Sequence, residues 1–141
     1  MRAVVARVTE ADVTVAGEIT GAIDEPGLLV LLGIHSQDSP DKADVMARKL
    51  HELRILRDEQ SCAVTGAPLL LVSQFTLYGD TRKGRRPSWT AAARPEPAAQ
   101  LFDLVVERLR QRGARVSTGV FGAAMAVRSV NDGPFTVLVE V

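Results

Sequence analysis

The stretch Gly27 to Ile34, Gly-Leu-Leu-Val-Leu-Leu-Gly-Ile, carries no polar side chain. Pro26-Gly27 bounds it on one side and His35-Ser36 on the other. A strand with one wet face alternates apolar and polar residues, whereas an unbroken apolar run needs cover on both faces. The run is too short to cross a bilayer as a helix, which takes about 20 residues. A second run, Leu69-Leu70-Leu71-Val72, has the same character. Both read as buried strands, the first covered on both faces. Only 4% of residues are aromatic, so Val, Leu, Ala and Ile must fill the core.

The pattern around these runs supplies the other elements. Residues 3–9 alternate as a half-buried strand, and Ala16-Gly17-Glu18 reads as a hairpin turn between Val13-Thr14-Val15 and Ile19. Ser39-Pro40-Asp41 is a helix start with Ser39 as the cap. Ala43, Met46, Ala47, Leu50 and Leu53 follow at helical spacing. Residues 58–67 are polar and turn-rich. A second helix runs from Pro95 to about Arg112, with Gly113 as its stop. Residues 116–118, 124–130 and 135–141 read as closing strands, with Asn131 to Pro134 as a turn between the last two. The expectation is one α/β domain over residues 1–141, a mixed β-sheet with two main helices. The final segment, Phe135 to Val141, has too few charges for a bare sheet edge. Either it is internal to the sheet or a second subunit covers it; the subunit is the favoured cover, so strands should pack across a homodimer interface.

Charge excludes some functions. Lys plus Arg and Asp plus Glu both number 17, which argues against a chain coated in positive charge for non-specific nucleic-acid binding. The balance is uneven, however. Residues 1–60 hold 7 basic and 11 acidic side chains, and residues 61–141 hold 10 and 6. Arg82, Lys83, Arg85 and Arg86 fall within five residues, so a polyanion should be sought there. The single cysteine, Cys62, excludes an intramolecular disulfide and reads as a bystander thiol. Arg7 and Glu10 break the apolar N-terminus, so no signal peptide is expected, no membrane partner either, and the cytoplasm is the expected location.

No familiar catalytic signature is present. There is no HExxH or CxxC, so no metal or other cofactor is expected. No GxSxG surrounds a serine, and no Walker A loop or GxGxxG occurs. His51 lies at the edge of the first helix's apolar stripe and reads as structural. His35 ends a buried strand but has no partner in sequence. Three segments do stand out from generic core. In Ser73-Gln74-Phe75-Thr76-Leu77-Tyr78, polar groups follow four buried apolar residues and must find partners, whether in a loop or in a ligand. Asn131-Asp132-Gly133-Pro134-Phe135-Thr136 is turn chemistry. Thr81 to Trp89 is a basic loop suited to backbone phosphates.

Together these segments resemble the D-aminoacyl-tRNA deacylase family. The resemblance runs nearly end to end, through MRAVVARV, VTVAGE, GLLVLLGI, SQFTLYGDTRKGRRPS and TGVFGAAMAVRSVNDGPFTVLVEV. It implies a cytoplasmic homodimer that hydrolyses the ester between a D-amino acid and the 3′-terminal adenosine of tRNA, and removes glycine mischarged onto alanine tRNA. It implies an active site at the subunit interface, with a cis Gly133-Pro134 reaching into the partner's pocket and excluding L side chains. Asn131, Phe121 and Met125 join Gly133 and Pro134 as implied substrate-binding residues. Ser73, Gln74, Phe75 and Thr76 fall on the reacting side, and the loop carrying Arg82, Lys83, Arg85 and Arg86 is the implied tRNA contact. No protein cofactor is implied.

The chemistry agrees with that set. An aminoacyl ester is already activated, and backbone N–H groups near Phe75 and Thr76 are suited to a tetrahedral oxyanion. Thr76 is the one candidate side-chain nucleophile, weak without a base. Attack by water is therefore favoured, with or without assistance from the substrate's own 2′-hydroxyl. One departure stands out: residues 60–67 are shorter than the family's usual hairpin and lack its Lys-Met-Asn segment. Two other readings remain: a generic Ser/Thr hydrolase using Ser73 on small esters, and a tRNA-binding module without catalysis that uses the 82–86 loop.

Overall fold

In the computed structural model, which describes residues 1–141, β1 (Arg2–Val15) organises the sheet. One edge of β1 pairs antiparallel with β6 (Ala126–Glu140) along almost its whole length. Its other edge is shared: residues 2–8 pair with β3 (Gly27–Gly33), and residues 11–15 pair with β2 (Glu18–Ile23). Beyond β3 lie β4 (Leu69–Ser73) and β5 (Val116–Thr118), each parallel to its neighbour. Parallel neighbours need crossover connections. The first contains α1 (Pro40–Glu52) and the one-turn α2 (Cys62–Thr65), and the second contains α3 (Pro95–Gln111).

The two apolar runs are covered on both faces, as their composition requires. Leu28, Val30, Leu32, Leu69 and Leu71 face one way and pack with Met46 and Leu50 of α1 and Val105 and Leu109 of α3. Leu29, Leu70 and Val72 face the other way and pack with Val8, Val13 and Ile23. That second layer exists because the outer half of β1 and all of β2 curl over the sheet. The approach is close, for a Cβ on Gly21 would sit 2.2 Å from the Thr118 carbonyl oxygen.

Several sequence expectations need correction. Ser39 takes the cap position, but its hydroxyl makes no cap hydrogen bond; the Lys42 N–H is taken by the Ser39 backbone carbonyl instead. The strand ending in Ser73 does not run on. Residues Phe75–Tyr78 wind into a single 3-10 turn, which lifts the chain off the sheet. Residues 58–67 include the short α2 rather than only turns. The last two expected strands are one. Asn131 pairs with Val8 and Thr136 with Ala6, so five steps along β6 match two along β1. Both halves run in the same direction, and Asp132 to Phe135 bulge out without reversing the chain. The hairpin expectation holds, with Ala16 and Gly17 between the paired Val15 and Glu18.

Two outcomes follow from these local geometries. Ala16 and Gly17 both have positive φ, 49° and 83°, the signature of a type I′ turn that alanine tolerates poorly. Ala16→Asn should raise stability by about 1 kcal/mol, seen as a higher denaturant midpoint at unchanged slope; an unchanged or lower midpoint would refute this. Cys62 is 1% exposed, and burial pushes its thiol up to about 12. The native thiol should therefore resist alkylation at pH 8 and react only on unfolding. Its folded pKa lies above the unfolded one. Any stability linked to it is full below about pH 8.5 and falls as pH rises toward 12.

Candidate active site

Parallel strands direct ligands to their carboxyl ends, where the connections diverge. Here that end carries Ser73 and Gln74 after β4, and the segment after β5. A pocket of about 620 Å³ opens between them. Ser73, Gln74 and Phe75 line one part, Phe121, Met125 and Val127 another, and Trp89, Ala92, Ala93 and Pro95 a third. Trp89 meets Phe75 edge to face, with ring centroids 5.3 Å apart. Gly79 permits this contact, since a Cβ there would lie 2.7 Å from the Trp89 ring. None of the lining residues is ionisable.

The polar groups at the strand end are arranged around the 3-10 turn. The Gln74 N–H donates to the Leu32 carbonyl and closes the sheet. The next two N–H groups, of Phe75 and Thr76, donate to nothing in the chain. They are the orphan donors that begin any helical turn. The Gln74 side-chain amide donates to the Thr76 hydroxyl oxygen. No carboxylate or imidazole reaches that hydroxyl, so nothing here deprotonates it. His35 is occupied elsewhere: its Nδ1 accepts from the Gln37 N–H, and its ring packs on Tyr78 at 5.0 Å. His51 is buried on α1, and burial followed by the nearby Arg112 charge lowers its pKa.

The bulge in β6 is a second, separate centre. Arg7 donates to the carbonyl oxygens of Asp132 and Ile55, and its guanidinium lies 4.9 Å from the Phe135 ring centre. Arg57 holds the Asp132 carboxylate by two hydrogen bonds, 3.0 and 2.6 Å, which keep that carboxyl below its ordinary range. Asn131 accepts from the Phe135 N–H and donates to the Thr136 hydroxyl. The Gly133-Pro134 peptide is cis, and Gly133 has φ 131°, a conformation that favours glycine. Neither Gly133, Pro134 nor Asn131 lines the pocket of its own chain.

The structure thus brings Ser73, Gln74, Phe75, Phe121 and Met125 to one cavity, with Thr76 beside them. It leaves the bulge outside that cavity. The basic loop divides as well. Arg82 pairs with Asp80 through two hydrogen bonds, 2.9 and 2.6 Å, and these hold the Asp80 carboxyl at about 2. Lys83, Arg85 and Arg86 are exposed and make no ion pair. Ala92 and Ala93 carry no mark in the sequence, and Pro95 reads there only as a helix start. Only the start of α3 places them against the strand end.

Known proteins provide an independent line. The family model described as D-Tyr-tRNA(Tyr) deacylase matches residues 4–140. The chain is 66% identical to the D-aminoacyl-tRNA deacylase of Thermobifida fusca, covering all of both chains. It is 60% identical to the protein of that name from Acidothermus cellulolyticus, covering all of this chain and 99% of the relative. Among solved structures, it resembles one titled c-Myc DNA Unwinding Element Binding Protein, with a TM-score of 0.92 at 39% identity over 100% of this chain and 99% of that one. A structure titled as a probable eukaryotic D-amino acid tRNA deacylase has a TM-score of 0.86 at 18% identity, over 99% and 98% of the two chains, and supports the fold. The chain therefore belongs to the D-Tyr-tRNA(Tyr) deacylase family.

Proposed function

We infer that this chain is a hydrolase that cleaves the ester joining a D-amino acid to tRNA, releasing the free amino acid. The carrying observation is the pocket at the end of β4: no ionisable lining, two free amide N–H groups, and membership of this family. Such a site cannot run strong acid–base chemistry, and an activated ester needs little. Water attacks the carbonyl, and the N–H groups of Phe75 and Thr76 receive the oxyanion. One such donor typically contributes ~3 kcal/mol. The Thr76 hydroxyl accepts from Gln74, which leaves its own proton free to orient the attacking water or the substrate's 2′-hydroxyl. Ser73 has no base beside it, which removes the support for a serine esterase.

Chirality is then read at Gly133-Pro134 in the pocket of a second subunit, with Asn131 bracing the bulge. Two features support this arrangement. The bulge stands away from its own chain's pocket. Apolar side chains of β6 are also left uncovered, with Val130 48% and Leu138 66% exposed. The accessible surface is 7981 Å², against roughly 7,000 Å² expected for a monomer of this mass. Lys83, Arg85 and Arg86 supply the tRNA contact. No helix is long and apolar enough to cross a membrane.

The decisive assay follows amino-acid release from D-aminoacyl-tRNA, L-aminoacyl-tRNA and an amino-acid methyl ester, which lacks the adenosine. Release from the first alone is expected. Equal release from all three would favour a general esterase, and tRNA binding without release a non-catalytic module. Thr76→Val should lower kcat by no more than about tenfold, since only water orientation is lost; near-complete loss with binding intact would make Thr76 the nucleophile. Gly133→Ala forces a side chain into positive φ and toward the Arg7 guanidinium, 2.9 Å away. The ratio of D to L hydrolysis should fall by about tenfold or more, and undiminished rejection of L substrates would remove the filter role.

A further inference from the structure

The free cations of the pocket region lie on one side of it. Lys83, Arg85, Arg86 and Arg94 belong to the segment that ends in the Trp89–Pro95 wall, and none makes an ion pair. The facing wall, residues 121–127, contains no charged side chain at all. The carboxylate of Asp80 on the cationic side is already matched by Arg82. A polyanion whose end is held in the pocket therefore has one electrostatically favourable way out.

We propose that the phosphodiester chain of the substrate leaves the pocket across the Trp89–Pro95 wall, and that Arg94 binds the phosphate next to the terminal nucleoside. The proposal rests on the reading that the ester of an aminoacylated tRNA end is the substrate. Arg94 is placed for this by its neighbours. Ala93 and Pro95, on either side of Arg94 in the chain, both line the pocket, which puts Arg94 next to its wall. Its own side chain is exposed and hydrogen-bonds to nothing. It is the residue before α3, where the positive end of the helix dipole adds to its charge. Pro95 and Pro97 have no N–H, so the helix start contributes few donors and the guanidinium is the main phosphate ligand. Glu96, the nearest free acid, lies two positions along, where side chains on a helix diverge. Lys83, Arg85 and Arg86 then meet phosphates farther along the strand.

Paired substrates test this. One is D-aminoacyl-tRNA; the other is D-aminoacyl-adenosine, which has the same ester and no phosphate. Arg94→Ala should lower kcat/KM on the tRNA by roughly tenfold, chiefly through KM. It should leave the adenosine ester unchanged. The salt dependence on tRNA should become shallower by about 0.7 in log–log slope, the contribution of one single-strand phosphate. Arg94→Lys should recover part of the loss, and Arg48→Ala, on the exposed side of α1, should have no effect. Equal loss on both substrates, or no loss on tRNA, would overturn the proposal. If the unmodified protein cleaves neither substrate, the functional reading itself fails, and this inference with it.

Discussion

The parallel pairing of β3 with β4 is the constraint on which the remainder depends. Leu28 to Leu32 and Leu69 to Ser73 lie side by side, and almost every side chain in the pair is buried. Such a pair cannot be closed by a tight turn, so the chain must cross over one face, and α1 supplies that cover. The second face then needs its own layer, which the curled outer half of β1 and β2 provide. Each further step is forced by what the previous one leaves exposed.

The same pairing locates the chemistry. At Leu32 and Ser73 the buried ladder runs out, and the next groups are polar. One N–H of the emerging chain, at Gln74, still finds a sheet carbonyl, and the following two find none. The pocket forms where the end of β4, the start of α3 and the segment after β5 diverge, so its walls are backbone, small residues and aromatics. The pocket lining contains no ionisable side chain. The bulge in β6 is held by a different device, the charge-assisted grip of Arg7 and Arg57 on Asp132. The two centres are independently built on one chain.

Legibility differed by the range of the interactions involved. The buried strands, both long helices and the first hairpin were readable, because each is dictated by the chemistry of consecutive or helically spaced residues. The 3-10 turn at Phe75–Tyr78 was not, since its residues suit a strand and only the end of the ladder releases them. Asn131 to Pro134 has turn composition, yet both flanks pair with β1, and the long-range ladder turned an expected reversal into a bulge. Ser39 has the composition of a cap, but a backbone carbonyl took its partner. Arg82 sits within a basic run and is neutralised by Asp80 two residues earlier. Arg94 has no motif around it, and only the packing of the start of α3 against the pocket sets it apart.

By itself, the sequence determined the buried strands of a mixed sheet, its two principal helices, the lack of the familiar catalytic motifs, and the motif residues that mark the family. These follow from local spacing and side-chain chemistry. Tertiary structure decided which of those residues share a cavity, which cations stay free, and that the Gly133-Pro134 bulge stands apart from its own chain's pocket. Those outcomes depend on strand register and crossover geometry, in which residues far apart in sequence compete for the same partners and the same space.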